Sequence, residues 1–322
     1  MMKTIATAPN AHAPGYAIAF KLLLLGVPIL LFICCNIALA QENASAYKNA
    51  VQKTIAEEKA SPASDKPAKS QEATEDKTFS VTPYRPNYFL GTTYNDNPHE
   101  KVYTDAGKDV PNKYEAKFQL SIKILLKKNL FRSKGDLYAA YTQRSWWQIY
   151  QTSAPFRETN YEPEMFLRFN TDIPLVSGLR NKYFLFGFAH QSNGQGGELS
   201  RSWNRVYIEF IAKTDNLMLG LKPWYRIPEN DETDDNPDID KYVGYGKLYG
   251  AYQLKKFVFS FAYQNNLRFD ENRGGLELGV SYELMDNLRL YLQYYNGYGE
   301  SLIDYNNFTN QVGLGLMIND WL

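Results

Sequence analysis

A histidine and a serine stand two positions apart in this sequence, and together they could catalyse acyl transfer. His190 and Ser192 are followed by Gly194, which gives the pattern His-x-Ser-x-Gly. A histidine can take the proton of a serine hydroxyl and so activate the oxygen as a nucleophile. The sequence holds only three histidines in 322 residues, so this pair has few competitors.

The sequence predicts that a β-strand carries this pair. From about Tyr88 onward, apolar and polar side chains alternate within segments of roughly ten residues, and turn residues separate the segments. This pattern is typical of a transmembrane barrel. Phe186 and Phe188 share one face of such a segment, because strand side chains repeat every two residues. His190 and Ser192 have the same parity, so we expect them on the lipid-facing side.

The next strand is predicted to bring a third polar group to this face. Asn204 has the parity of Ile208 and Phe210 and would lie across an antiparallel neighbour from the pair. Its amide could hydrogen-bond the second imidazole nitrogen of His190, and backbone N–H groups around Gly194 could face a developing oxyanion. Alternatively, these polar residues lie at the membrane rim and hydrogen-bond only water or headgroups.

Twelve candidate strands can be counted, and a single-chain bacterial barrel requires an even number. They cover about 88–94, 113–125, 136–148, 164–172, 183–192, 202–213, 217–226, 241–253, 257–265, 274–283, 287–294 and 309–322. The 25 Tyr, 18 Phe and 5 Trp suit the interfacial girdles of such a barrel. We therefore predict an all-β fold, a 12-stranded antiparallel transmembrane β-barrel of the outer membrane, with a soluble β-sandwich as the alternative.

The first 86 residues are predicted to lie outside the barrel. An apolar run from Leu22 to Cys35 precedes Ala38-Leu39-Ala40, the small-x-small pattern of a signal peptidase site. We assign 1–40 to a signal peptide, 41–86 to a flexible periplasmic segment rich in Ala, Lys and Glu, and 87–322 to the barrel. Both cysteines lie in the signal peptide, so the mature chain would have no thiol chemistry.

Composition and motifs exclude several other functions. Lys plus Arg and Asp plus Glu number 35 each, so no basic surplus points to nucleic acid. The sequence has no Gly-x-Gly-x-x-Gly or Walker-type loop, which argues against nucleotide binding. Two cysteines and three histidines are too few for a zinc site built from several of them.

Several longer motifs occur in one order along the chain. They are Tyr-Thr-Gln-Arg-Ser-Trp-Trp-Gln (141–148), Pro-Phe-Arg-Glu-Thr-Asn-Tyr-Glu-Pro (155–163), His-Gln-Ser-Asn-Gly (190–194), Ser-Arg-Ser-Trp-Asn-Arg (200–205), Lys-Pro-Trp-Tyr (222–225), Asp-Asp-Asn-Pro-Asp-Ile (234–239) and Gly-Tyr-Gly-Glu-Ser-Leu-Ile-Asp-Tyr-Asn (297–306). With these motifs the sequence resembles the outer-membrane phospholipase A family of Gram-negative bacteria over roughly 87–322.

The resemblance implies an enzyme that hydrolyses acyl esters of phospholipids (A1 and A2 activity) and of lysophospholipids. Its active site would lie on the barrel exterior near the outer leaflet. By family role, Ser192 is the nucleophile, His190 the general base and Asn204 the residue that orients the base.

The resemblance also implies calcium as cofactor and a homodimer as the active state. Ser200 matches the side-chain calcium ligand, Gln195 the main-chain carbonyl ligand and Ser153 the ligand position at the dimer interface. Asp235 matches a second calcium position, and Gln143 a polar contact between two barrels. The family has Arg where Gln195 stands; a carbonyl ligand survives this change, but a charge role does not.

Two alternatives remain open from the sequence. One is a catalytically inactive barrel that acts as a channel or structural outer-membrane protein. The other is a soluble secreted esterase.

Overall fold

The computed structural model describes residues 80–130, 134–176, 178–230 and 232–322. The strands are β1 (Val81–Pro83), β2 (Asn87–Asn95), β3 (Tyr114–Leu130), β4 (Gly135–Trp147), β5 (Phe156–Pro174), β6 (Arg180–Ser192), β7 (Ser202–Lys213), β8 (Leu217–Ile227), β9 (Gly246–Leu254), β10 (Phe257–Asn265), β11 (Gly274–Met285), β12 (Leu288–Gly297) and β13 (Thr309–Asn319). Two short helices, α1 (Glu100–Asp105) and α2 (Asp240–Val243), and a 3₁₀ turn (Gly197–Leu199) lie between strands.

Strands β2 to β13 form one closed ring. Each pairs antiparallel with its neighbours along the chain, and β13 pairs with β2 to close the circle. The short β1 pairs with β3 on the same side as β2. The predicted 12-stranded antiparallel barrel is therefore confirmed. Within the described residues, no helix is long and apolar enough to cross a membrane.

The two faces of the barrel follow the predicted alternation. Phe186 and Phe188 are 51% and 42% exposed on the outside, whereas Leu185 and Ala189 are buried inside. Gly187 lies on the inner face, where an added Cβ would come within 2.6 Å of the Tyr207 ring. The outer face is apolar because it meets lipid, and the inner face accepts both rings and charges.

Several strand boundaries differ from the prediction, and two of them have a visible structural reason. The strand expected over 241–253 begins at Gly246, because α2 and Gly244 precede it. Gly244 has φ +71°, and a Cβ there would lie 1.8 Å from the carbonyl oxygen of Asn265, so the chain turns at this point. The strand expected over 164–172 begins at Phe156, because the charged residues before Glu164 face the lumen.

Part of the range 41–86, residues 80–86, lies within the described residues. Val81–Pro83 pair with β3, and the Tyr84 ring stacks on that of Phe166 at 5.4 Å. Residues before 87 therefore contact the barrel, while the ring itself begins with β2 at Asn87. The predicted signal peptide, 1–40, and the range 41–79 lie outside the described residues and stay predictions.

Ion pairs fill the barrel lumen. They join Lys117 to Glu300 at 2.6 Å, Arg205 to Glu162 at 2.9 Å, Lys222 to Glu164 at 2.8 Å and Arg85 to Glu164 at 2.6 Å. Loop side chains close the lumen at the end where β6 finishes, with Ile239, Val243, Leu302 and Tyr305 packed in one cluster with Trp203 and Trp224. A cavity of about 60 Å³ remains among these groups. The lumen is a packed polar core and holds the strands that present the outer face.

Replacing Lys117 with Met is expected to lower the free energy of unfolding by about 3–5 kcal/mol, because it leaves Glu300 buried without its partner. Burial raises the pKa of the Glu300 carboxyl, although Lys117 opposes the shift. The folded state then holds a proton that the unfolded state releases, so the loss should grow as pH rises above the ordinary pKa of a glutamate. Urea unfolding in detergent micelles, followed by tryptophan fluorescence, measures both effects.

Lys101→Met is the matched control, since the Lys101–Asp105 pair is exposed on α1. An equal loss of stability in both variants would contradict the role assigned to the buried pair.

Candidate active site

The predicted histidine and asparagine meet on the outer face where β6 ends. His190 lies directly opposite Asn204 in the β6–β7 register. The Nδ1 atom of His190 is 2.9 Å from the Oδ1 atom of Asn204. An amide oxygen can only accept, so Nδ1 carries the proton and Nε2 keeps its lone pair. The imidazole is thereby held in the tautomer that a general base requires.

Ser192 shares this face, two residues after His190. It lies opposite Ser202 on β7 and opposite Tyr161 on β5. In the described part of the chain, no hydrogen bond joins the Ser192 hydroxyl to His190, whose side chain bonds to Asn204. The hydrogen bond between nucleophile and base often tightens only when substrate binds. The strand register therefore brings the three predicted residues together. His190 is hydrogen-bonded to Asn204 and not to Ser192.

The loop after Ser192 is tied together by a buried side chain. Asn193 donates from Nδ2 to the Leu199 carbonyl at 2.8 Å, and its Oδ1 accepts from the backbone N–H of Arg201 at 3.0 Å and of Gln195 at 3.3 Å. Gly194 has φ +66°, and a Cβ there would lie 3.1 Å from the Tyr161 ring. Glycine at this position lets the loop turn immediately beside Ser192.

Glu158 is a site residue that the sequence reasoning missed. It is 1% exposed on the inner face of β5. Its carboxylate accepts hydrogen bonds from Gln195 Nε2 at 3.0 Å, Asn193 Nδ2 at 3.3 Å, Asn160 Nδ2 at 2.6 Å and the Ile303 N–H at 3.2 Å. The alternation of 158, 160, 162 and 164 was the available signal, because all four are buried polar side chains. Glu158 thus joins the loop carrying Gly194 to the loop at 298–308.

Two of the predicted calcium residues are in direct contact. Ser200 donates a hydrogen bond from Oγ to Asp235 Oδ2 at 2.6 Å. Hydroxyl and carboxylate oxygens are ligands that calcium prefers. No group of three or more His, Cys, Asp or Glu that could hold a metal occurs in the described ranges, so a calcium site here would also need carbonyl oxygens or water. The residues present fit a carboxylate-poor calcium site.

The other predicted residues have three different environments. The side chain of Gln195 is engaged by Glu158. Ser153 is exposed in the loop between β4 and β5, with φ +66°. Gln143 accepts from the Tyr141 hydroxyl at 3.0 Å and donates to Ser145 Oγ at 3.1 Å. Ser153 therefore lies in a different loop from Ser200. The Gln143 amide forms its hydrogen bonds with residues of its own strand, β4.

A closed barrel with an apolar outer face and reactive side chains on that face is the architecture of an outer-membrane enzyme. The family model for phospholipase A1 matches residues 65–318. Phospholipase A1 of Klebsiella pneumoniae is 44% identical over 247 residues, which are 76% of this chain and 84% of that protein. The chain belongs to the phospholipase A1 family.

Solved structures agree with this assignment. The outer membrane phospholipase A of Escherichia coli aligns with a TM-score of 0.69 and 40% identity, over 76% of this chain and 100% of that one. The Salmonella typhi outer membrane phospholipase, solved as a dimer with bound calcium, aligns with a TM-score of 0.68 and 40% identity, over 78% and 95%. This chain is accordingly an outer-membrane phospholipase.

Asn193→Ala is expected to lower phospholipid hydrolysis by at least about tenfold. A loop that moves by about an ångström misplaces the reacting groups, and a misplacement of this size is enough to cause such a loss of rate. The barrel should stay folded, since Asn193 follows the last residue of β6 and ties only loop atoms. An assay of hydrolysis in detergent measures the activity. The heat-modifiable gel mobility of the barrel shows whether it is folded.

Asn307→Ala removes a comparable loop hydrogen bond, to the Asn97 carbonyl, away from Ser192. Full activity of Asn193→Ala, or the same loss in Asn307→Ala, would show that Asn193 does not organise the site.

Proposed function

We propose that the chain is a calcium-dependent phospholipase that works through Ser192, His190 and Asn204 on the barrel exterior near the outer leaflet. Its substrates are phospholipids, cleaved with A1 and A2 specificity, and lysophospholipids. The observation that carries this proposal is the 2.9 Å contact between His190 Nδ1 and Asn204 Oδ1 on an outward-facing surface. Exposed Phe side chains beside this pair fit a membrane-facing site better than the surface of a soluble protein.

The reaction follows from the roles of these groups. Ser192 Oγ attacks the ester carbonyl while His190 Nε2 takes its proton, and the Gly194 backbone N–H is a donor for the oxyanion. His190 then returns the proton to the leaving lysophospholipid or glycerol oxygen. Water attacks the acyl-serine in the same way and releases the fatty acid. Asn204 keeps Nδ1–H hydrogen-bonded throughout, and as a neutral amide it brings no charge to the lipid face.

Calcium and a second copy of the chain complete the proposed site. The Ser200 hydroxyl and the Gln195 carbonyl would hold one ion together with Ser153 from the second copy. The Asp235 carboxylate would belong to the second calcium position, next to Ser200. When bound, the ion supplies positive charge near the oxyanion. Support comes from the Ser200–Asp235 contact, from the exposure of Ser153, and from the calcium-bound dimer of the Salmonella typhi relative. Gln143, on the same outer face, is the proposed contact between barrels.

The packed lumen bears on the alternative of an inactive channel. Buried ion pairs such as Lys117–Glu300 and Arg205–Glu162 cross the interior, and the Leu302 loop packs over Trp203. Permeant ions would have to displace these pairs. The observations favour an enzyme whose chemistry takes place outside the barrel.

Purified, refolded protein is expected to release fatty acid from phospholipid and lysophospholipid in the presence of calcium and not in the presence of chelator. Ser192→Ala should lower the rate by at least about a thousandfold, because it removes the nucleophile. Ser202→Ala is the matched control, since Ser202 lies directly opposite Ser192 on the same face. Equal rates for wild type and Ser192→Ala would overturn the proposal.

Ser200→Ala and Asp235→Asn are each expected to raise the calcium concentration for half-maximal activity by about tenfold, because each removes one oxygen ligand or its charge. The calcium dissociation constant measured by titration calorimetry should rise by the same factor. Glu232→Gln, which changes charge at an exposed position of the Asp235 loop, should shift neither. Unchanged calcium dependence in both site variants would place the ion elsewhere.

A further inference from the structure

The Asn204 amide has a second partner, which none of the proposed roles uses. Its Nδ2 donates to Glu229 Oε1 at 3.2 Å. Asn204 lies opposite Ile227, the last residue of β8. Glu229 is two residues further along and continues the outward parity of that strand. A chain of hydrogen bonds therefore runs from a loop carboxylate through the amide to the imidazole of His190.

We propose that Glu229 is a positioning residue for the acyl hydrolysis: it selects the orientation of the Asn204 amide and, through it, the tautomer of His190. The inference rests on the proposed function of Ser192, His190 and Asn204. It adds a group that acts through Asn204 and does not touch the substrate.

The selection follows from the hydrogen-bonding capacities of the three groups. A carboxylate only accepts, so Glu229 pairs with the NH₂ end of the Asn204 amide. The oxygen end must then face His190, and it can only accept a proton from Nδ1. Without Glu229 the amide could turn over and donate to Nδ1, which would leave the imidazole proton on Nε2. In that tautomer His190 cannot take the proton of Ser192.

The loop that carries Glu229 is held on both sides. The Arg226 guanidinium binds both carboxylate oxygens of Asp234 at 2.6 Å and also donates to the Pro237 carbonyl at 3.1 Å. The Asn230 carbonyl accepts from the Asp234 N–H at 2.9 Å. Nη2 of Arg226 donates to both Asp234 oxygens and Nη1 to the Pro237 carbonyl, so the planar guanidinium is anchored through two nitrogens and its direction is fixed. Glu229 therefore lies between two anchored residues, Arg226 and Asn230.

Glu229 also brings a negative charge within two hydrogen bonds of the reacting histidine. When His190 takes the proton of Ser192 it becomes an imidazolium, and a carboxylate polarising the intervening amide stabilises that charge. The charge stays in the loop beyond β8, so the lipid-facing strands present only the neutral amide.

The test compares Glu229→Ala, Glu229→Lys and the control Glu232→Lys, which makes the same charge change at an exposed position of the same loop. Glu229→Ala is expected to lower kcat by between about ten- and a hundredfold, because the variant loses a hydrogen bond to a charged acceptor. Glu229→Lys should lose more, because an ammonium only donates and favours the turned-over amide. KM should stay within about twofold in each, since no contact with substrate is lost.

A double-mutant cycle separates this role from a merely structural one. In the Asn204→Ala background, Glu229→Ala should lower kcat by less than about twofold, because the amide it acts on is gone. An equal fold-loss in both backgrounds, or no loss in the wild-type background, would overturn the inference.

Failure of the proposed function is distinguishable from failure of this inference. If Ser192→Ala retains full hydrolysis, the proposed function fails and this inference fails with it. If Ser192→Ala is inactive while Glu229→Ala and Glu229→Lys match the wild type, only the role of Glu229 is refuted.

Discussion

A backbone that crosses lipid must satisfy its hydrogen bonds inside the protein, and this requirement governs the whole molecule. Twelve strands meet it by closing on themselves, with β13 paired to β2. Once the ring is closed, every strand residue faces either lipid or lumen, and a slip of one residue in register would exchange the two. The positions of His190 and Ser192 on the outer face, and their register with Asn204, follow from this closure.

The closed barrel separates two electrostatic environments. Charged side chains such as Arg205 and Glu162 are paired in the lumen, where they neutralise one another and fix neighbouring strands. The outer face carries exposed Phe side chains and neutral polar groups. A histidine oriented by a neutral amide suits that face, because an unpaired carboxylate next to lipid would be costly. The negative charge that serves the site lies one hydrogen bond further away, on Glu229.

The loops at this end of the barrel are fastened by buried polar side chains. Asn193 and Glu158 hold the turn after Ser192, and Glu158 also reaches the 298–308 loop through the Ile303 N–H. Glutamine at 195, where family resemblance leads one to expect Arg, keeps a hydrogen bond to Glu158 without supplying a positive charge. Hydrogen bonding therefore holds this loop, and residue 195 brings no positive charge to Glu158.

Strand parity is a local property with a period of two residues, so it sufficed to predict the barrel, its strand number and the outward placement of His190, Ser192 and Asn204. The early start of β5, the turn at Gly244 before β9, and the contacts of Glu158 and Glu229 with the site could be read only from the folded chain. Glu158 is 37 residues from Gln195, and Glu229 is 25 from Asn204. Such contacts depend on how separate loops fold over a closed ring, and no local periodicity encodes them.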